Sequence, residues 1–157
     1  LLVRMDNNLG SRTVVEYAPS TQFYLVDKRE GRPWVTRLPF PVQLVKRVET
    51  IDLVSQHSFV TRYAYHHGFF DGVEREFRGF GLVEQWDTDD IAGSPSPPMW
   101  TKTWFHTGAF VDIGASVSRH FAGEYWREPG LTLATPSTEQ AGVVVAFDPK
   151  SGAHRSI

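Results

Sequence analysis

Residues 62–81 read R-Y-A-Y-H-H-G-F-F-D-G-V-E-R-E-F-R-G-F-G, and no other stretch limits the fold as much. Tyr63 and Tyr65 alternate as the residues of a half-buried strand do. His66-His67-Gly68 and Asp71-Gly72 punctuate the run, and Phe77-Arg78-Gly79-Phe80-Gly81 opens a second aromatic and glycine run. The pattern predicts a strand over Phe59 to His66, a compact loop from Gly68 to Gly79 that packs its own side chains, and a returning strand over Phe80 to Trp86.

The flanking sequence is punctuated in the same way. Asp6-Asn7-Asn8-Leu9-Gly10 separates Val3–Met5 from Ser11–Tyr17 and predicts a hairpin, because Asn and Gly tolerate the positive φ of a tight reversal. Gln22–Val26 reads as a further β-rich run, closed by a charged loop from Asp27 to Pro33. Pro39-Phe40-Pro41 predicts an extended edge or crossing segment, since proline donates no ladder hydrogen bond. Val42–Leu53 predicts one long strand or two meeting at a bulge, and Thr88–Pro98 a surface connection. Met99–Thr107 resumes strand character, with Trp100 and Trp104 on one face. Ala115–Arg127 is the helix candidate, with Val117, Phe121 and Tyr125 on one face and Pro129-Gly130 as its stop. Gly142–Phe147 predicts a last strand and Asp148–Ile157 a frayed tail. The fold class implied is all-β, mainly antiparallel strands and hairpins, with one short helix.

At 157 residues the chain fits one domain, and a compact fold of this size removes roughly 68–70% of the unfolded surface from water. A formal charge of −2, with basic residues scattered along the chain in no run longer than two, gives no basic patch for nucleic acid or anionic lipid. The absence of cysteine excludes disulfides and thiolate metal sites. No apolar run approaches the ~20 residues of a membrane helix, so no direct membrane insertion is expected. The opening Leu1-Leu2-Val3-Arg4-Met5-Asp6 enters a strand-like pattern at once, as a piece of a longer polypeptide would.

Three kinds of chemistry are worth weighing. His66 and His67 lie near Asp71, and two histidines with a carboxylate can hold a divalent metal for hydrolysis. Adjacent strand residues point to opposite faces, however, so one histidine would need a distant partner such as His106. The plainer expectation is that one histidine packs under the turn while the other is solvated. Asp71, Glu74 and Glu76 have a spacing that permits acid and base roles, but with Arg75 and Arg78 interleaved, ion pairs and loop hydrogen bonds are the expected use. Trp100 and Trp104 would form the stacking platform of a carbohydrate-binding β-domain if they faced solvent. No nucleophile motif or phosphate loop is present. No enzyme activity, metal or cofactor is expected.

The signature also resembles the middle region of the B component of the bacterial insecticidal Tc toxins, whose relatives carry Y-x-Y-H-x-G-x-x-D-G-x-E-R-E-F-R-G-F at the start of an RHS/YD-repeat shell. The matching positions are Tyr63, Tyr65, His66, Gly68, Asp71, Gly72, Glu74, Arg75, Glu76, Phe77, Arg78, Gly79 and Phe80. Asn7-Asn8-Leu9-Gly10 resembles the family's N-G-L-G, with Asn8 in place of glycine, and Trp34 to Val42 its W-x-x-x-L-P-F-P-V. Thr101 to Gly108, which includes Trp104 and His106, is similar to T-K-T-W-F-H-T-G, and Glu124 to Arg127 to a further block. The likeness divides the chain into a B-component region over 1–128 and a diverged tail over 129–157.

The resemblance implies a curved shell-wall segment without catalysis. It implies as partners the rest of the parent B chain, the C component with its enclosed cytotoxic segment, and the pore-forming A component through the parent protein. It also implies a secreted toxin and no nucleic-acid partner. Under this reading Tyr63, Tyr65, Phe69, Phe70, Phe77 and Phe80 close an aromatic corner, and Phe77→Ala is expected to cost on the order of 3–5 kcal/mol.

Overall fold

Alternating side chains and turn residues build the computed structural model, which describes residues 1–91, 94–95, 97–109, 120, 143–147 and 154–156. In chain order, β1 (Arg4–Asp6) and β2 (Ser11–Pro19) lead into helix α1 (Ser20–Arg29). Next come β3 (Gln43–Asp52), β4 (Ser58–Asp71) and β5 (Glu76–Ile91). The short β6 (Ser94–Pro95), β7 (Met99–Trp104), β8 (Val143–Phe147) and β9 (His154–Ser156) follow. Among the described residues these strands form one open antiparallel sheet in the order β1-β2-β3-β4-β5-β7-β8-β9, with β6 paired to β5. The antiparallel β class read from the sequence holds.

Several expected elements differ. Gln22–Val26 is helical, not extended. Its buried positions Ser20, Phe23 and Asp27 repeat at helical spacing, but only Phe23 is apolar, so the hydrophobic period is faint. The C-terminus is clear by contrast. Lys28 and Arg29 occupy the last turn, Gly31 takes φ +76°, and the Gly31 and Arg32 amides return to the Lys28 and Asp27 carbonyls as a Schellman cap.

The stretch from Gly68 to Gly79 is not a self-packed loop, because both strands run through it and only residues 72–75 turn. Between Phe69 and Phe70 the register shifts so that Arg78 is the extra residue, and the bulge is relieved by Gly79 at φ +88°. Val42–Leu53 becomes a single strand with its own irregularity, Lys46 being left over between the Glu16–Arg47 and Tyr17–Val45 pairs. Thr88–Pro98 is not purely a connection, since β5 continues to Ile91 and pairs with β6. The tail contributes β9, paired with β8. The helix expected over Ala115–Arg127 lies outside the described residues except for His120.

β3 pairs with β4 only over Ser58–Arg62. Beyond that, residues 34–38 take over the edge. The Phe70 amide donates to the Arg37 carbonyl at 2.9 Å and the Thr36 hydroxyl to the Gly68 carbonyl at 3.0 Å. Gly68 is required there, because a Cβ would lie 2.8 Å from the Trp34 ring and 2.9 Å from Leu38. Phe23 of α1, Phe69 of β4, Phe80 and Leu82 of β5 and Trp104 of β7 are buried, α1 reaching β4 where Phe23 meets Tyr65 and the strap of residues 34–38 reaching β5 where Trp34 meets Phe80.

Candidate functional site

The chemistry-bearing side chains meet under that strap. Asp27, one helical turn beyond Phe23, is buried, and its Oδ2 accepts the Trp34 indole N–H at 2.6 Å. The same oxygen lies 2.6 Å from His66 Nδ1. On the other side of the ring, Glu84 of β5 places Oε2 3.5 Å from Nε2, an ion-pair distance longer than a good hydrogen bond. Glu84 Oε1 is held by Lys102 of β7 at 3.0 Å, and Asp27 Oδ1 by Arg32 at 3.5 Å. One imidazole thus joins a helix to two strands.

Burial is the largest influence on the His66 ring and disfavours its charge, but the two carboxylates outweigh it and raise the ring to about 9. His66 is accordingly an imidazolium at neutral pH. Burial likewise opposes the charge on Glu84, and His66 with Lys102 overcomes it, leaving the carboxyl below its ordinary value. Carboxylates on opposite nitrogens of one ring cannot share a metal ion with it, and among the described residues no group of three His, Asp or Glu is arranged to hold one.

His67 is buried too, contrary to the expectation that one histidine of the pair is solvated. The strap covers it: the Val35 amide donates to Nδ1 at 3.4 Å, and Nε2 lies 3.3 Å from Nε2 of His120. Its φ of +56° marks the bend in β4. His106, the distant partner a metal would have needed, is exposed beyond β7, with Nδ1 accepting the Gly108 amide at 3.3 Å.

Asp71 lies five residues past His66, roughly 15 Å along an extended strand. Its Oδ1 accepts the Val73 and Glu74 amides at 2.9 and 3.1 Å, and Arg78 stands 3.6 Å from Oδ2. The Glu74 amide bond, aided by the Val73 amide and Arg78, holds the carboxyl below its ordinary value. Gly72, Glu74, Arg75 and Glu76 are exposed in and beside the turn, Arg75 at φ +58°, and Arg78 pairs with Glu76 at 3.3 Å. Asp71 thus caps the turn, and Glu76 is spent on an ion pair with Arg78.

The aromatic residues of the signature form a chain of edge and tilted contacts. Phe23 meets Tyr65 at 5.4 Å, Tyr65 meets Phe80 at 5.2 Å, and Phe80 meets Trp34 at 6.0 Å and Phe77 at 5.6 Å. Phe40 of the proline-flanked segment adds Phe70 at 5.2 Å. Tyr63 packs on Tyr65, whose hydroxyl donates to the Val45 carbonyl at 2.9 Å and is pushed by burial up to about 12. Trp104 is 5% exposed, so it presents no ring to a sugar. Trp100 stacks against Trp86 with an interplanar angle of 6°, and Lys102 Nζ lies 4.4 Å from its centroid. The two-tryptophan platform is therefore not formed.

Sequence reasoning missed Asp27, Glu84 and Lys102 as one cluster with His66. The K-R-E-G-R-P run after Asp27 carried the signal: a basic last turn, a C′ glycine and a following proline announce a helix end, which makes Phe23 and Asp27 one helical face.

With this open, strapped β-sheet in view, the family model described as the insecticide toxin TcdB middle/N-terminal region matches residues 1–108. The chain belongs to that family. Among solved structures, the crystal structure of TcdB2-TccC3 aligns with a TM-score of 0.74 and 35% identity, over 95% of this chain and 7% of that one. TcdB2-TccC3 without the hypervariable C-terminal region gives 0.72 and 37%, over 83% and 6%. The Photorhabdus luminescens Tc holotoxin pore gives 0.74 and 29%, over 96% and 8%. The chain thus spans under a tenth of the length of these relatives. No curated protein matches it.

Proposed function

We propose that this region is a non-catalytic wall segment of a Tc toxin B component, part of an RHS-type β-shell that encloses a cytotoxic C-terminal effector and delivers it. The observation that carries the reading is the match to TcdB2-TccC3 at 35% identity and a TM-score of 0.74 over 95% of this chain. The side chains support it as well. His66 is enclosed by Asp27 and Glu84, and Asp71 by turn amides and Arg78, so the groups that would do chemistry are spent on holding elements together. The partners under this reading are the rest of the B chain, the C component and, through the parent protein, the A component. The complex is secreted.

The test is made in the full-length B component carrying this region, produced together with its C component. Phe69→Asp, which puts a charge into the core, should expose the enclosed segment to added protease, whereas Val73→Ser on the exposed turn should leave it protected. Equal protection in both variants counts against a wall role. Loss of a measurable hydrolytic activity in Asp71→Asn, Glu74→Gln or Glu76→Gln, with folding intact, would overturn the non-catalytic part.

A further inference from the structure

α1 meets the rest of the chain through three unequal buried side chains and through Tyr24, whose ring stands edge-on to Trp34 of the strap at 5.5 Å. Ser20 sits at the first turn, where its amide donates to the Val42 carbonyl at 2.8 Å and its hydroxyl accepts the Val42 amide at 3.0 Å. Phe23 packs edge-on against Tyr65. Beyond Phe23 the buried contact is Asp27, whose neighbours are the Trp34 indole, Arg32 and His66.

We infer that His66 is a proton-operated latch: protonated, it bridges Asp27 and Glu84 and holds the C-terminal half of α1 on the sheet, and on losing its proton it lets that half lift. The argument is geometric. Both ring nitrogens face carboxylates, at 2.6 and 3.5 Å, and all three side chains are less than a tenth exposed. An imidazolium donates from both nitrogens, whereas a neutral imidazole donates from one and turns a lone pair toward the other carboxylate. The shorter contact keeps the remaining proton, so deprotonation turns the Nε2 lone pair toward Glu84 and reduces the hold on Asp27 from an ion pair to a hydrogen bond from a neutral donor, in a site poorly reached by water.

Among the described residues, the charged and titratable groups around the ring are Asp27 and, through it, Arg32 with Glu30 at the end of α1. Glu84 on β5, Lys102 on β7 and the neighbouring His67 on β4 complete the set. Arg32 and Lys102 approach the outer oxygens only, and their side chains are 56% and 31% exposed, so water screens them. Of these cations, His66 lies within 3.5 Å of both carboxylates. This inference stands on the cluster alone and holds whether or not the wall reading is right.

Two measurements on the full chain test it. In a pH titration by NMR, the His66 ring should titrate well above the ordinary 6.5, near 9. In hydrogen exchange corrected for the intrinsic rate, opening at amides 24–29 should rise with pH, by up to tenfold per unit, on the approach to about 9 and level off above, while amides 20–23 stay flat. That opening should depend only weakly on added denaturant, because lifting half a helix exposes little surface. His66→Gln should remove the slope. A ring that titrates near 6.5, helix protection that is flat with pH, or a denaturant dependence as steep as that of global unfolding would each overturn the latch. So would a slope that survives in His66→Gln. If that variant does not fold, the wild-type ring titration and exchange profile decide alone.

Discussion

The two ends of the β4–β3 pairing are held in opposite ways. At one end the turns at residues 7–10 and 53–57 meet through a backbone bond from the Leu53 amide to the Gly10 carbonyl at 2.7 Å. Leu9 and Val54 there are 88% and 82% exposed. The shape comes from local chemistry: Asn7 Oδ1 accepts the Leu9 and Ser11 amides, and Asp52 Oδ1 accepts those of Val54 and Ser55. At the other end His66, His67, Gly68 and Phe69 of β4 are buried in succession, with Asp27 of α1 against His66 and the strap against His67 and Gly68. Hydrogen bonds close to the chain suffice to shape a tip, but placing a helix on a sheet takes distant residues.

If that contrast is right, the largest losses come from the covered end. Phe80→Ala removes a ring that touches Tyr65, Trp34 and Phe77, and should cost about 3–5 kcal/mol in denaturant unfolding. Phe77→Ala should cost clearly less than the sequence alone implied, because Phe77 is 36% exposed. Equal costs would mean that the corner is not graded by burial.

Next in size is the dependence on pH. The His66 ring is raised from 6.5 to about 9, so its contribution is complete below pH 6.5 and is lost as pH climbs through about 9. The loss should be about 3 kcal/mol. Glu84, held below its ordinary value, acts in the other direction: its contribution is present above pH 4.5 and falls away as pH drops through its lowered value. Unfolding by urea from pH 3 to pH 10 should therefore show a plateau with both flanks falling, and His66→Gln should flatten the alkaline flank.

Gly68→Ala should cost about 1–3 kcal/mol by driving a methyl into Trp34 and Leu38. Trp34 fluorescence should shift with it, and an unshifted spectrum would show that the strap gives way freely. Smallest of all, Asn8→Gly at φ +56° and Val54→Ser at the exposed tip should stay within about 0.5 kcal/mol. A larger effect at either position would erase the difference between the two ends.

What was legible in the sequence follows the same division. The first hairpin, the alternating strands and the turn capped by Asp71 depend on neighbours in sequence, so their residues announced them. α1 announced only its C-terminal end, since two of its three buried positions are polar and their partners, Val42 and His66, lie far along the chain. The glycines misled for a similar reason. Gly68 and Gly79 suggested a loop, but the first admits Trp34 and Leu38 against the backbone and the second relieves a bulge inside a continuing strand. The resemblance to Tc toxins was carried by these very residues, and the family match over 1–108 establishes it.

The strap has a further consequence. A strand that outruns its neighbour offers a row of open amides and carbonyls, on which a stray chain can crystallise and recruit the next. β4 outruns β3 from Tyr63 to Asp71, and Thr36 and Arg37 occupy part of that row, Thr36 by donating to the Gly68 carbonyl and Arg37 by accepting the Phe70 amide. Thr36 and Arg37 thus act as a terminator for sheet growth. Loosening them would bare that row and turn the central hairpin into a seed.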